Sequence, residues 1–142
     1  MRAKAEFLKD AEVEPDVAFN YDELGAVCSY LHQDDESEHC FREAVRRDSH
    51  LASSYYGLAK IYGRRGKFAG ALAALDSAGR IDPASASVHY LRGQILLRMG
   101  RRREAQSEFD IAGRMQKETR DELERQVSGE RMPRPELATE PK

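Results

Sequence analysis

Apolar residues recur along this chain at intervals of three and four over most of its length. Between Ala18 and Leu51, Tyr21, Leu24 and Cys28 follow that spacing, and Ser37, Phe41 and Ala44 repeat it after a polar break at His32-Gln33-Asp34-Asp35. A spacing of three and four puts side chains on one face of an α-helix, so each stretch predicts a helix and each break a turn. The pattern returns between Ala52 and Ser85 as Tyr55, Leu58, Tyr62 and then Ala71, Leu75, Ala78. It returns again between Ala86 and Thr119 as His89, Arg92, Leu96 and then Ala105, Phe109, Ala112. The period is 34 residues, with no insertion.

Punctuation agrees with the period. Glycine supplies the left-handed backbone that closes a helix, so Gly66 and Gly100 are expected to cap the first helix of their units. Pro83 is expected to end the second helix of the middle unit, because proline disfavours helical geometry at the residue before it. Small residues recur at Gly25, Ala59 and Gly93, and again at Ala44, Ala78 and Ala112. They let backbones approach closely, while Phe41, Leu75 and Phe109 fill the space that remains.

In these residues the chain resembles the tetratricopeptide repeat family. Tyr55-x2-Leu58-Ala59-x2-Tyr62, Ala71-x3-Leu75-x2-Ala78 and Ile81-Asp82-Pro83 follow the family pattern closely. The departures are His32 at the usual glycine, Arg92 at the usual leucine, and Ser49 and Lys117 at the usual proline. The resemblance implies an all-α fold, a right-handed α-α superhelix or solenoid of antiparallel helix pairs. Units one, two and three are expected at 18–51, 52–85 and 86–119. Residues 1–17 are expected to supply the second helix of an incomplete preceding repeat or an N-terminal cap. Leu123 and Val127 carry the register into a capping helix at 120–128, and the Gly, Pro and Glu content of 129–142 reads as a disordered tail.

Composition narrows the function classes. No run of 18 uncharged apolar residues occurs, so no membrane span or membrane partner is expected. Two cysteines cannot form a disulfide framework and fit a reducing, cytoplasmic compartment. A net charge of −2 argues against wholesale nucleic-acid binding, but it conceals unit charges of −5, +3 and +3. The asymmetry lies at the turns within units: Asp34, Asp35, Glu36 and Glu38 in the first, Arg64, Arg65 and Lys67 in the second, Arg98 and Arg101 to Arg103 in the third. A charge run is ordinarily a solvated rim; the sharper alternatives are self-association of copies or an acidic partner on the basic half.

The chain carries no nucleophile elbow, phosphate loop, His-Glu-x-x-His or Cys-x-x-Cys, so neither catalytic residues nor a cofactor are expected. Cys28, His32, His39 and Cys40 are the one set with ligand chemistry, but helical spacing points them in different directions and no metal site is expected. Binding is expected instead where the family lines its concave groove, at five positions on the first helix of each unit. Mapped here, these positions include Tyr30, Tyr56, Lys60, Arg64, Tyr90, Gln94 and Arg98. Tyrosine gives large contact area at small entropy cost and arginine grips carboxylates bidentately, so an extended peptide or a helix, with acidic groups, is the expected ligand. The family's carboxylate clamp is absent: Asp22, Ala26, Gly57, Ser87 and Leu91 stand at its positions. The function expected is a protein-interaction module or scaffold. The alternatives are nucleic-acid binding through the basic edge of units two and three, or an oligomerisation spacer in a larger protein.

Overall fold

The computed structural model describes residues 15–129, which form six helices in succession. They are α1 (Pro15–Tyr30), α2 (Asp34–Arg47), α3 (Ala52–Arg64), α4 (Phe68–Ile81), α5 (Ala86–Arg98) and α6 (Arg102–Ser128). The pairs α1/α2, α3/α4 and α5/α6 are antiparallel hairpins, and each hairpin packs on the next. The helical expectation holds throughout the described residues. The segments 1–14 and 130–142, and the expectations placed on them, lie outside those residues.

The first helix of each hairpin ends in the same way. Gln33, Lys67 and Arg101 donate their backbone N–H to the carbonyls of Cys28, Tyr62 and Leu96 at 2.8, 2.9 and 2.9 Å. That six-residue closure needs a left-handed residue just before the donor, and Gly66 and Gly100 supply it with φ of 75° and 81°. His32 stands at the equivalent place with φ 58°, although it has a side chain. The repeat geometry thus imposes on a histidine the backbone it gives to glycine elsewhere.

Two helix ends fall away from the repeat boundaries. The described part of α1 runs from Pro15, one turn before the boundary expected at Ala18, with Asp16 in its first turn. At the other end, residues 120–128, expected as a capping helix, continue α6 without a break. Lys117 occupies the place where Pro83 ends α4, so nothing interrupts the backbone hydrogen bonding there.

Packing inside the hairpins is a trade of volume between two repeat positions. A Cβ on Gly25 would lie 2.8 Å from the Phe41 ring, and one on Gly93 would lie 2.6 Å from the Phe109 ring. In the middle hairpin the same two positions are Ala59 and Leu75, a larger residue facing a smaller one. The core runs through Phe41, Leu58, Ile61, Leu75, Val88 and Ile95, with a second cluster of Val17, Tyr21, Cys40 and Ala44 toward the N-terminal end. Beyond the sequential contacts, α1 touches α3 and α3 touches α5, whereas the even-numbered helices are less closely packed on one another. The stack therefore closes on the side of α1, α3 and α5, and their outward faces share one surface.

Candidate binding groove

That surface is hollowed in two adjoining parts. The larger, about 640 Å³, lies between α1 and α3, and the smaller, about 270 Å³, between α3 and α5. Lys60 and Arg64 line both, so the two parts form one groove along the stack. Asp22, Ala26, Ser29 and Tyr30 come from α1, and Ser53, Tyr56 and Gly57 from α3. Gln94 and Arg98 join from α5. Every fourth or third residue of a helix faces the same way, which is how three helices present a continuous lining from one repeat position set.

Six of the residues expected to bind are brought together here: Tyr30, Tyr56, Lys60, Arg64, Gln94 and Arg98. Tyr90 is placed apart from both hollows. Its ring tilts against Phe109 at 5.4 Å between centroids, and about half of the residue remains exposed. Five lining residues escaped the position pattern: His32, which the left-handed turn swings over the end of α1, Phe41 and Gly57 in the larger hollow, and Leu91 and Ile95 in the smaller. The departure of His32 from glycine was the available signal for the first.

The charged residues of the groove are engaged to different degrees. Arg64 grips Asp34 through Nη2 at 2.7 Å and Nε at 3.4 Å, and its Nη2 also donates to Ser29 Oγ at 3.0 Å. The Arg64 hydrogen bond holds the Asp34 carboxyl below its ordinary range. Next to it, Arg65 pairs with Asp35 and with Glu38. The acidic turn of unit one and the basic turn of unit two thus neutralise each other inside the molecule. Arg98 lies over the Phe68 ring, 5.0 Å from its centroid, and donates to the Gly63 carbonyl at the end of α3. Lys60 differs: its Nζ lies 5.8 Å from the centroid of the Tyr56 ring, and it has no ion pair among the described residues. Burial pushes the Tyr56 hydroxyl above its ordinary pKa.

Asp22 forms the deep end. It is 9% exposed, and its Oδ1 and Oδ2 accept hydrogen bonds from Ser54 Oγ at 2.7 Å and Ser53 Oγ at 2.8 Å. Both serines lie in the first turn of α3, whose N-cap Leu51 has no capping side chain. The carboxylate thus places a negative charge at the positive end of α3, across a helix–helix joint, while binding hydroxyls rather than the backbone N–H groups a cap would satisfy.

Elsewhere the chemistry is sparse. Cys28 and Cys40 are buried and not joined in a disulfide, and among the described residues no group of three or more His, Cys, Asp or Glu side chains is placed to hold a metal ion. No described helix is long and apolar enough to cross a membrane. On the outer side, His89 Nδ1 lies 2.6 Å from Glu108 Oε2, and Arg92 bridges Glu108 at 3.7 Å and Asp76 at 3.1 Å. The polar substitutions His89 and Arg92 in the expected apolar stripe of unit three are thus absorbed by a local ion network.

Comparison with known proteins gives a partial family match and a shared fold. A family model described as TPR repeat matches residues 61–100. No curated protein matches the chain significantly by sequence. Among solved structures, MamA is 19% identical with a TM-score of 0.69; the match covers 78% of this chain but only 63% of MamA, less than two thirds of its length. The Yersinia enterocolitica type III secretion translocator chaperone SycD, in an alternative dimer, is 18% identical with a TM-score of 0.70, covering 82% of this chain and 90% of that one. The first TPR of Spaghetti (RPAP3), bound to the HSP90 peptide SRMEEVD, is 21% identical with a TM-score of 0.70, covering 83% and 95%. At these identities the likeness to solved structures is one of fold. A TPR-repeat match thus lies at the centre of the chain, and its described helices share the fold of these solved structures.

Proposed function

We propose that the chain is a non-catalytic protein-interaction module that captures a peptide segment or a helix in the groove of α1, α3 and α5. The observation that carries this reading is the groove itself, where Tyr30 and Tyr56 offer aromatic surface beside Lys60 and Arg64 around a hollow of about 640 Å³. Tyr30 is 84% exposed, far more than packing requires of a large ring. Rigid aromatics with cations at their edges are the side chains that most often anchor a bound segment. Gln94 and Arg98 extend the contact toward unit three. Lys60 is the cation left for an acidic residue of the segment, since Arg64 is held by Asp34. The fold is shared with a TPR domain bound to an HSP90 peptide, which supports peptide capture as the mode. That peptide is not the expected ligand here, because an acidic residue, Asp22, stands where the family's carboxylate clamp begins. Two buried cysteines not joined in a disulfide suit a reducing compartment such as the cytoplasm.

The test uses peptides selected on the wild-type protein from a random display library. Replacing Tyr56 with alanine, with helix content unchanged by circular dichroism, is expected to weaken their binding about tenfold or more, since a central aromatic anchor contributes more than about 1 kcal/mol. Unchanged affinity in the folded variant would move the site elsewhere.

A further inference from the structure

We propose that Asp22 is the negative pole of the groove and that the captured segment presents a lysine or arginine to it. The inference rests on the groove reading above and specifies the charge of its ligand. Asp22 is the charged side chain that lines the larger hollow while being more than nine-tenths buried. Its two oxygens each accept one serine hydroxyl, and a carboxylate has about four acceptor sites, so about half of its hydrogen-bonding capacity is left for a ligand. Ala26, one turn further along α1 and also in the lining, adds no bulk over it.

Charge decides what fills that capacity. The serine hydroxyls and the positive end of α3 face the carboxylate, but neither brings a full positive charge to it. Among the described residues no cation pairs with it: Arg64 is held by Asp34, and Lys60 lies over Tyr56. A buried carboxylate interacts with a cation far more strongly than an exposed one does, because little water screens it. With Asp22 at one end of the hollow and Lys60 on its wall, the groove fits a segment of mixed charge, its basic residue at Asp22 and its acidic residue near Lys60. A wholly acidic segment meets repulsion at Asp22.

Selection from a random dodecapeptide display library on the full chain, followed by titration of the selected peptides, tests this. Lysine or arginine is expected above library frequency. Changing that residue of the peptide to glutamine is expected to weaken binding to the wild-type protein tenfold or more, and to the Asp22→Asn variant less than twofold. Asparagine keeps an acceptor for a serine hydroxyl, so the variant is expected to fold. Should it not, salt titration of the wild-type protein decides: the basic peptide must lose affinity with added salt more steeply than its glutamine analogue. Peptides that depend on Tyr56 yet are indifferent to the glutamine change, or whose two forms share one salt dependence, would overturn the role of Asp22 and leave the groove standing. If no selected peptide depends on Tyr56, the groove reading falls and this inference with it.

Discussion

The joint between the first two hairpins and the joint between the last two meet the same requirement with different materials. At the first, the Phe41 ring is wedged between Gly25 of its own hairpin and Gly57 of the next, where an added Cβ would overlap it. Polar links then cross the same joint: Asp22 to Ser53 and Ser54, Arg64 to Asp34, Arg65 to Asp35 and Glu38, and Arg42 to the Tyr62 hydroxyl at 2.9 Å. At the second joint, Leu75 replaces the phenylalanine, Leu91 replaces the glycine, and Val88 and Ile95 complete an aliphatic contact. Its polar links are the Arg98 bond to the Gly63 carbonyl and the Arg92 bridge to Asp76. Part of the difference lies at the turns. The turn between α1 and α2 carries acids for the next unit's arginines, whereas the turn between α3 and α4 carries none for Arg101 to Arg103.

If the first joint depends on its ring, removing it has the largest effect. Phe41→Ala is expected to cost about 3–5 kcal/mol by urea denaturation, and Leu75→Ala at the second joint about 2–5. The sharper comparison exchanges volumes. Gly57→Ala alone is expected to destabilise by about 1–3 kcal/mol through overpacking. In combination with Phe41→Leu, which brings the first joint toward the second joint's side-chain set, the loss is expected to be smaller than the sum of the two singles. Additive losses would break the claim that the two positions trade volume.

The closure of α1 is next in size. A left-handed conformation costs a residue with a side chain about 1–2 kcal/mol relative to glycine, and His32 adopts it at the place held by Gly66 and Gly100. Glycine is freer in the unfolded chain and returns part of that gain. His32→Gly is therefore expected to stabilise the protein by about 1 kcal/mol, read as a higher urea midpoint with an unchanged slope. The equivalent change in the opposite sense, Gly66→His, is expected to destabilise by a similar amount.

The ion pair of the first joint is worth less, because both partners are partly solvated. A double-mutant cycle on Asp34→Asn and Arg64→Ala is expected to give a coupling of about 0.2–1 kcal/mol near neutral pH. Folding lowers the Asp34 pKa through the Arg64 hydrogen bond. The stabilisation it brings is therefore fully present above the carboxyl's ordinary pKa and is lost as the pH falls through the lowered value. The coupling should shrink when the cycle is repeated at progressively acid pH. A coupling that survives protonation would mean that hydrogen-bond geometry rather than the carboxylate's charge carries it.

Most of the architecture was legible in the sequence because the information is local. Helices, their caps at Gly66 and Gly100, and the exchange of small and large residues at Gly25/Phe41, Ala59/Leu75 and Gly93/Phe109 all follow from a period that every unit repeats. What the period could not give is where a long side chain ends. Arg64 occupies a groove position and reads as a cation for a ligand, yet it closes on Asp34, thirty residues away and in another unit. Arg98 likewise turns to a backbone carbonyl, and Tyr90 rests on Phe109 beside the groove rather than in it. The acidic and basic turns were visible as an asymmetry, but their mutual pairing needed the stack to bring them together. Asp22 was visible as a groove position and as a departure from the clamp, but its serine partners on the next hairpin are a long-range fact.

The smallest expected effect concerns the arginines that the second joint leaves over. Arg101 pairs with Glu104 at 3.2 Å, whereas Arg102 and Arg103 have no ion pair among the described residues. They stand at the start of α6, whose N-cap has no capping side chain, so their charges face the helix's positive end. α2 begins in the opposite way, with Asp34, Asp35 and Glu36 in its first turn. Arg102→Glu should therefore raise stability slightly, by about 0.3 kcal/mol or somewhat more at low ionic strength, with the gain fading as salt screens it. A loss would mean that Arg102 has a structural partner and that the second joint is stitched by charge after all. The same variant bears on nucleic-acid binding along this edge: RNA affinity at low salt that is present in the wild type and reduced by Arg102→Glu would give these arginines a ligand, whereas a stability gain without any RNA binding leaves them as solvated charge.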